Sequence, residues 1–388
     1  MLGIEKAYGD VAIRALLHAN YNLMNASVED ALRKSLRYGK NDTLGLDAIP
    51  EISIATQIKK FDQHAILVTE EQNDWPFSYN NATDDPRSFH TFFISDPTDR
   101  SKQFADFLTD VKNKNECVIE VMQEPKSQER WENKFSAPVD ITGPYTAITC
   151  IRRGIPIITV MINYLTQKMY MACSAGIFKI KVNCEKEQLK TLTTEYICEH
   201  GEHVKFSVPT PKHQQMKRFV TFLGKEGYLE NLLESQLMEK EEFTQSIFYD
   251  QPGGPSRVLY LSGIQAETEA IGFILANGEK IVEWIHWLTF VRFARNVNDL
   301  SEPILQVYEI WHPQPHTKDG ILMSTLPNYS IFRQVDNEQM VINVASFQQF
   351  SNPSKIRCSL LICINANHWA QQVAQRYGYR KIQFPRDT

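Results

Sequence analysis

Apolar residues recur at helical spacing near the N-terminus, where Ile13, Leu16, Leu17 and Tyr21 would share one face of a helix. Asn25-Ala26-Ser27 then reads as a start signal for a second helical run from Val28 to Arg37. Residues 40–47 form a polar turn with two acids, Asp42 and Asp47, and Ile52, Ile54, Ala55 and Ile58 mark a further helix. The period then changes. Ile66-Leu67-Val68-Thr69 is a continuous apolar run of strand length that ends in Glu70-Glu71. Phe92-Phe93-Ile94 is another, and it runs into Ser95-Asp96-Pro97-Thr98-Asp99-Arg100-Ser101. A strand ending at Asp96 is expected, with Pro97 holding a turn and Ser101 opening a helix over Lys102 to Val111.

Residues 102–140 are rich in charge and moderately helical, with few apolar anchors, and they read as an insertion over the surface. From Tyr145 the pattern predicts an antiparallel meander: strands over Thr146–Ile151, Ile155–Asn163, Met169–Cys173 and Ile177–Val182, with turns between them. Residues 184–215 look irregular and Met216–Leu237 helical. Gln251-Pro252-Gly253-Gly254-Pro255 is the strongest breaker in the chain. After it the pattern predicts strand Val258–Leu261, helix Glu267–Leu275, a turn at 276–278, strand Lys280–Glu283 and helix Trp287–Arg295. Strand Leu360–Asn365 and a closing helix over His368–Tyr377 follow. The division implied is an N-terminal α+β lobe over 1–250, with the insertion near 102–140, and a C-terminal α/β lobe over 251–388.

Composition narrows the function classes. A net charge of −5, with no dense Lys/Arg run, offers no electrostatic footprint for nucleic acid. No apolar run is long enough to span a bilayer and the N-terminus lacks a signal-peptide core, so no membrane partner is expected. Seven scattered cysteines, an odd number without a framework, fit a reducing compartment and a cytoplasmic location. Cys198-Glu199-His200-Gly201-Glu202-His203, with Cys184 upstream, matches no regular zinc spacing and reads as a solvated hairpin. Gly-rich phosphate loops, nucleophile elbows and His-Glu-x-x-His are missing from the sequence.

The chemistry therefore concentrates at two strand ends. Asp96 and Asp99, spaced i, i+3 around Pro97, fall on one side of a turn where two hard oxygen ligands could share divalent cations. The first amides of the following helix would face the same place, ready for a phosphate. Against this stands the plainer reading that such carboxylates are solvated turn residues or caps.

Strand-Glu-Glu followed by strand-Asp-Pro-x-Asp-x-Ser and a helix resembles the metal-dependent, lithium-sensitive phosphatase superfamily of inositol monophosphatases and fructose-1,6-bisphosphatases. Its usual forms are Gly-Glu-Glu and Asp-Pro-(Ile/Leu)-Asp-(Gly/Ser)-(Thr/Ser). The run Met169–Phe178 is similar to the strand of that family that ends in Gly-Ala-Phe. The resemblance implies a layered α/β/α/β/α sandwich. It implies a Mg²⁺-dependent phosphomonoesterase acting on a small phosphorylated polyol, sugar or nucleotide, and a homodimer. Glu70, Asp96 and the Thr98 carbonyl would hold one Mg²⁺, and Asp96 and Asp99 a second. Ser101 would orient the attacking water with an acid from the polar turn, Asp42, with Asp47 as the alternative because the turn is a residue shorter than usual. Arg100 replaces the small residue of the motif, as a phosphate-binding group or as a salt-bridge partner of Asp96 and Asp99. His286-Trp287-Leu288-Thr289 stands where the family has Trp-Asp-x-Ala, so Leu288 replaces a metal ligand. Glu283 is the candidate replacement, in the manner of a glutamate lying just before that helix. Gly263-Ile264-Gln265-Ala266 replaces the pattern Gly-Ser-x-Ala. These departures keep a second reading open: a degenerate relative that binds a phosphorylated ligand or a protein without turnover.

Overall fold

The N-terminal periodicity becomes helix α1 (Gly3–Met24), whose Ala12, Ile13, Leu16 and Leu17 are buried. The computed structural model describes residues 3–35, 43–62, 65–69, 91–136, 139–204, 218–221, 247–248, 272–294, 305–309, 332–335, 339–342, 357–364 and 380–385. Helix α2 (Val28–Leu32) is capped by Ser27, whose hydroxyl accepts from the Asp30 amide at 3.0 Å. Helix α3 (Gly45–Phe61) starts hard against it. A Cβ at Gly45 would stand 2.0 Å from the Asp30 carbonyl oxygen, so only glycine lets the two backbones approach this closely. That contact sets the entry of α3 and with it the places of Asp47 and Glu51.

Strand β1 (Ile66–Thr69) pairs parallel with β2 (Thr91–Asp99), in a register running from Ile66 opposite Phe92 to Thr69 opposite Ser95. From β2 onward the pairing is antiparallel through β3 (Tyr145–Arg152), β4 (Ile155–Asn163), β5 (Lys168–Cys173) and β6 (Gly176–Lys181). The expected meander is thus present strand for strand. At the first of its turns Arg153 (φ 50°) and Gly154 (φ 80°) supply the two positive-φ positions that suit the twist of a tight hairpin. Strand β2 runs further than expected, to Asp99 rather than Asp96. Pro97 has no amide to donate, and the chain accommodates it by a register shift between Asp96 and Asp99 instead of ending the strand.

The stretch 102–140 corrects a second expectation. It forms α4 (Ser101–Thr109), α5 (Val118–Gln123), α6 (Ser127–Phe135) and α7 (Val139–Thr142), and these helices close over a core of their own. Phe104, Phe107, Leu108, Val118, Val121, Trp131 and Phe135 pack there with Leu46 and Tyr164. Each short helix contributes only one narrow apolar stripe, so linear charge density conceals how much they bury jointly. Beyond β6, two short helices, α8 (Gln188–Thr191) and α9 (Thr194–His200), replace the expected irregular stretch. They precede the edge strand β7 (Glu202–His203).

A second sheet carries β8 (Arg218–Thr221), β9 (Ile247–Phe248) and β10 (Gly272–Lys280). After helix α10 (Ile281–Phe293) it adds β11 (Leu305–Glu309), and a separate pair β12 (Phe332–Gln334) and β13 (Met340–Ile342) precedes β14 (Arg357–Ile364) and β15 (Arg380–Ile382). Its order is β15-β11-β14-β10-β8-β9. Arg218–Thr221 and the first part of β10 were expected to be helical. A short apolar run such as Gly272–Ala276 has no periodicity that separates a buried strand from a buried helix, and pairing with β14 and β8 decides it. The expected strand Val258–Leu261 and closing helix His368–Tyr377 lie outside the described residues.

The principal core lies between α1, α3 and one face of the first sheet, with Leu16, Ile54, Phe93, Ile148, Val160 and Met171 meeting there. On the other face α10 packs against β2, β3, β4 and β5 and also meets β10 and β11. The layers therefore run helices, sheet, helix, sheet. A buried polar link holds α10 in place: Thr149 Oγ1 lies 2.7 Å from His286 Nδ1 and 2.5 Å from Thr159 Oγ1. Thr149→Val keeps the volume and removes the hydroxyl. It is expected to cost about 1–2 kcal/mol in urea unfolding, because buried polar atoms lose their partner. An unchanged unfolding midpoint would show that the link carries no stability. Among the described residues no helix is long and apolar enough to cross a membrane.

Candidate functional site

The end of β2 meets the start of α3. Every residue from Thr91 to Arg100 is buried, including Asp96 at 2% exposure and Asp99 at 5%. Thr98 turns its hydroxyl to the Leu46 carbonyl at 2.7 Å, which ties the strand end to the first turn of α3. The side chain of the next residue in α3, Asp47, is buried and receives the Leu44 amide at 3.4 Å. Tyr164 donates to the Pro97 carbonyl at 3.1 Å. Burial pushes the Tyr164 phenol well above its usual range, and the nearby carboxylates of Asp47 and Asp96 push the same way, against the Thr146 and Thr98 hydroxyls. Tyr145, opposite Asp99 in the register, is raised by burial and then by Tyr170, Asp140 and Asp99. Both phenols therefore stay protonated near neutral pH.

One turn along α3 from Asp47, Glu51 is also buried, and its Oε1 accepts from the Thr69 hydroxyl at the end of β1. Asp47 and Glu51 thus present carboxylates on one helix face toward the ends of β1 and β2. Sequence reading kept Asp47 as an alternative and missed Glu51. The available signal was an i, i+4 pair of acids on an otherwise apolar helix face, a spacing that places both over the same neighbour.

Arg100 occupies the N-cap position of α4 with φ 67° and ψ 32°, in the left-handed region, and is only 4% exposed. A non-glycine residue held there costs about 1–2 kcal/mol, which accounts for a small residue being the easier choice at that place. Its carbonyl accepts from the Phe104 amide at 3.0 Å, and Ser101 is the first helical residue. The ends of β1 and β2 and the first turns of α3 therefore bury Asp47, Glu51, Asp96 and Asp99, and Arg100, next after Asp99, is buried too, so the buried charge is formally negative in total. Burial of such a set is costly unless cations offset it.

The other expected site residues divide. Asp42 and Glu70 lie outside the described residues. Thr69, which precedes Glu70 in the chain, is level with Ser95, next to Asp96. Helix α10 begins at Ile281, so Glu283 sits inside its first turn and not before it. The expected strand over Lys280–Glu283 gives way because β10 stops at Lys280. Leu288 is fully buried in α10. In the Cys/His segment, the His203 ring meets Phe178 edge-on at 5.1 Å and His200 stacks on Tyr196 at 4.3 Å.

The donors at the β2 end are hard carboxylate oxygens, the type that suits Mg²⁺ rather than a thiophilic metal. They fit such an ion in kind. Among the described residues, however, no group of three His, Cys, Asp or Glu side chains is placed to hold one ion. A full coordination set needs a further ligand from elsewhere in the chain.

Comparison with known proteins supplies the fold. No family model matches the sequence, and no curated protein matches it. Among solved structures, the chain is similar to CysQ from Bacteroides thetaiotaomicron, a bacterial member of the inositol monophosphatase family. That match has 10% identity and a TM-score of 0.52 and covers 94% of this chain and 98% of that one. The extragenic suppressor protein SuhB from Bartonella henselae matches at 12% identity over 95% of this chain and 97% of its own, with a TM-score of 0.49. An inositol monophosphatase from Thermotoga maritima matches at 10% identity over 94% of each chain, with a TM-score of 0.48. The architecture is a layered α/β sandwich of the inositol monophosphatase type.

Proposed function

We propose that this fold serves here as a divalent-cation-dependent phosphomonoesterase acting on a small phosphorylated polyol, sugar or nucleotide. The observation that carries the reading is the burial of Asp96 and Asp99 on the last residues of β2, beside Asp47 of α3 and directly before the N-terminus of α4. Asp96, Asp99 and the Thr98 carbonyl, with Glu70, would hold Mg²⁺. Bound Mg²⁺ supplies a water of lowered pKa and offsets charge on the attacking and leaving oxygens. The chain's own residues do the rest. Asp47 accepts a hydrogen bond from the nucleophilic water and Ser101 orients it, with Asp42 as the alternative acid. The α4 amides receive the phosphate oxygens, favoured by the helix dipole. Thr98 and Tyr164 lock the main chain at 97–98, so the acids are held in place before substrate arrives.

A second reading, retention of the fold without turnover, draws on two observations. Leu288 is buried where the resemblance expects a carboxylate, and Arg100 brings a buried cation into the acid-rich segment. Phosphate release from inositol monophosphate, fructose bisphosphate and adenosine bisphosphate, with and without Mg²⁺, separates the two. Mg²⁺-dependent release supports the esterase. No release with any substrate, together with no Mg²⁺-dependent rise in melting temperature, favours the second reading.

Arg100→Gly tests which role the arginine has. Glycine removes the left-handed strain, about 1 kcal/mol or more, and also removes the charge that offsets the neighbouring acids. The variant is expected to melt lower than the parent in EDTA and to gain more from added Mg²⁺. Equal Mg²⁺ responses in both proteins would mean that Arg100 does not compete with the cation.

A further inference from the structure

Cys173 is the last residue of β5, and with Met169 and Met171 it faces the principal core, fully buried. Cys198 lies on α9, half-buried, and packs against that same core beside Ile197. Both are free thiols. Contacts with α1 bring them together. Thr194, one turn before Cys198 on the same face of α9, places its amide and its hydroxyl on Asp10 Oδ1, each at 2.7 Å. Lys6 pairs with Glu195. Glu5, in the first turn of α1, is buried and receives the Ser174 amide at 2.8 Å and the Ser174 hydroxyl at 2.5 Å. The start of α1 therefore holds the residue after Cys173 and the helix that carries Cys198, and the two thiols share a side-chain hydrogen bond.

The pair is unequal. The shared hydrogen bond, and then burial, raise the Cys173 thiol above its usual range. The same hydrogen bond lowers Cys198, against burial and the charges of Glu5 and Glu199. Cys198 is thus the thiol that ionises first, and it is also the one that solvent reaches. A thiolate open to small oxidants, with a protonated thiol hydrogen-bonded to it, is the arrangement of an attacking and a resolving cysteine. Other thiols differ. Burial pushes Cys184 up to about 11, and Cys150 is fully buried and raised by the same cause.

We propose that Cys173 and Cys198 form a reversible disulfide when the protein meets a peroxide, and that the bond staples α9 to the end of β5. The Cys198 thiolate attacks one oxygen of hydrogen peroxide and the O–O bond breaks. The departing hydroxide takes up the proton that Cys198 gave to solvent and becomes water. The Cys173 thiol then attacks the sulfenic sulfur on residue 198. The S–S bond forms as the S–O bond breaks, and the Cys173 proton leaves with the hydroxide as a second water. Two thiols are oxidised by two electrons, and one peroxide is reduced to two waters. The bond constrains the unfolded chain between residues 173 and 198, so it stabilises the fold. Asp99 is level with Tyr145 and Asn163, and the start of β5, not Cys173, lies toward that end of the sheet. The proposal therefore does not rest on the catalytic reading.

The test is to treat the reduced full-length protein with a small excess of hydrogen peroxide, quench it, alkylate free thiols under denaturing conditions and map the peptides by mass. A peptide pair joined through Cys173 and Cys198 is expected, with Cys117 and Cys184 alkylated, and dithiothreitol should return both thiols. The oxidised protein is expected to melt about 3 °C or more above the reduced one. Cys198→Ser should lose both the link and the thermal shift. Cys173→Ala should leave Cys198 as a sulfenic acid that dimedone traps. Because Cys173 is buried and that variant can misfold, peptide mapping of the wild type and of Cys198→Ser decides alone. Recovery of Cys173 as an alkylated thiol after Cys198 has been oxidised overturns the proposal. So does a link from Cys198 to a different cysteine, or a thermal shift that persists in Cys198→Ser.

Discussion

Asp96→Asn is expected to lower Mg²⁺-dependent phosphate release at least about a thousandfold, close to 4 kcal/mol of transition-state stabilisation, without unfolding the chain. The substitution is nearly isosteric and leaves the strand pairing of Asp96 with Ala147 untouched. What it removes is a charge from a segment that already buries Asp47, Glu51 and Asp99. Two consequences follow with opposite signs. Activity falls, because an amide oxygen is a much weaker ligand for a hard cation than a carboxylate. Stability in EDTA rises or holds, because one like charge fewer is buried, the usual exchange between function and stability at a strained site. The parallel measurement is thermal unfolding in EDTA and in Mg²⁺. An Asp96→Asn protein that keeps its Mg²⁺-dependent release would remove Asp96 from the metal site. One that melts far lower in EDTA would make the carboxylate a structural group.

The second large effect concerns stability. Trp131→Ala is expected to cost about 3–5 kcal/mol in denaturant unfolding. Trp131 is fully buried, with ring centroids 5.4 Å from Phe107 and 4.4 Å from Phe135, and its indole nitrogen donates to Thr142 Oγ1 at 2.9 Å. Truncation opens a large cavity among α4, α6 and α7 and leaves the buried Thr142 hydroxyl without its donor. A surface insertion would tolerate the change within about half a kcal/mol, so the experiment separates the two descriptions of residues 102–140. Because α4 follows Asp99 directly, loosening this core is also expected to lower any activity at the β2 end. Wild-type stability in the variant would mean that the second cluster is not a cooperative part of the fold.

The parts of the molecule that could be read beforehand are those where a local pattern has one outcome. The meander β3–β6 is made of strand-length runs rich in β-branched residues and bounded by turn signals, a pattern that reads as consecutive strands. The helices α1 and α3 follow from periodicity in the same way. Residues 102–140 were misread because each of four short helices buries a small stripe, and the sum becomes visible only when they face one another. The strand β10 was misread for the complementary reason, since an uninterrupted apolar run is equally compatible with either element until a neighbour pairs with it.

The candidate site divides along the same line. Asp96, Asp99 and Ser101 were found because a strand followed by Asp-Pro-x-Asp and a helix start is a local arrangement, and covalent connection alone brings those residues together. Glu51 was not found, because it reaches the β1 end through a packed helix and not through the chain. The backbone of Arg100 illustrates both: its identity marked an unusual motif, while its left-handed conformation is imposed by the turn from β2 into α4. What the sequence by itself determined is therefore helices α1 and α3, the meander and the acidic strand end, all products of short-range periodicity and connectivity. Tertiary structure alone decided that α3 brings two further buried carboxylates to the ends of β1 and β2, and that α4–α7 form a core. Those juxtapositions depend on packing between residues far apart in the chain, which no local pattern encodes.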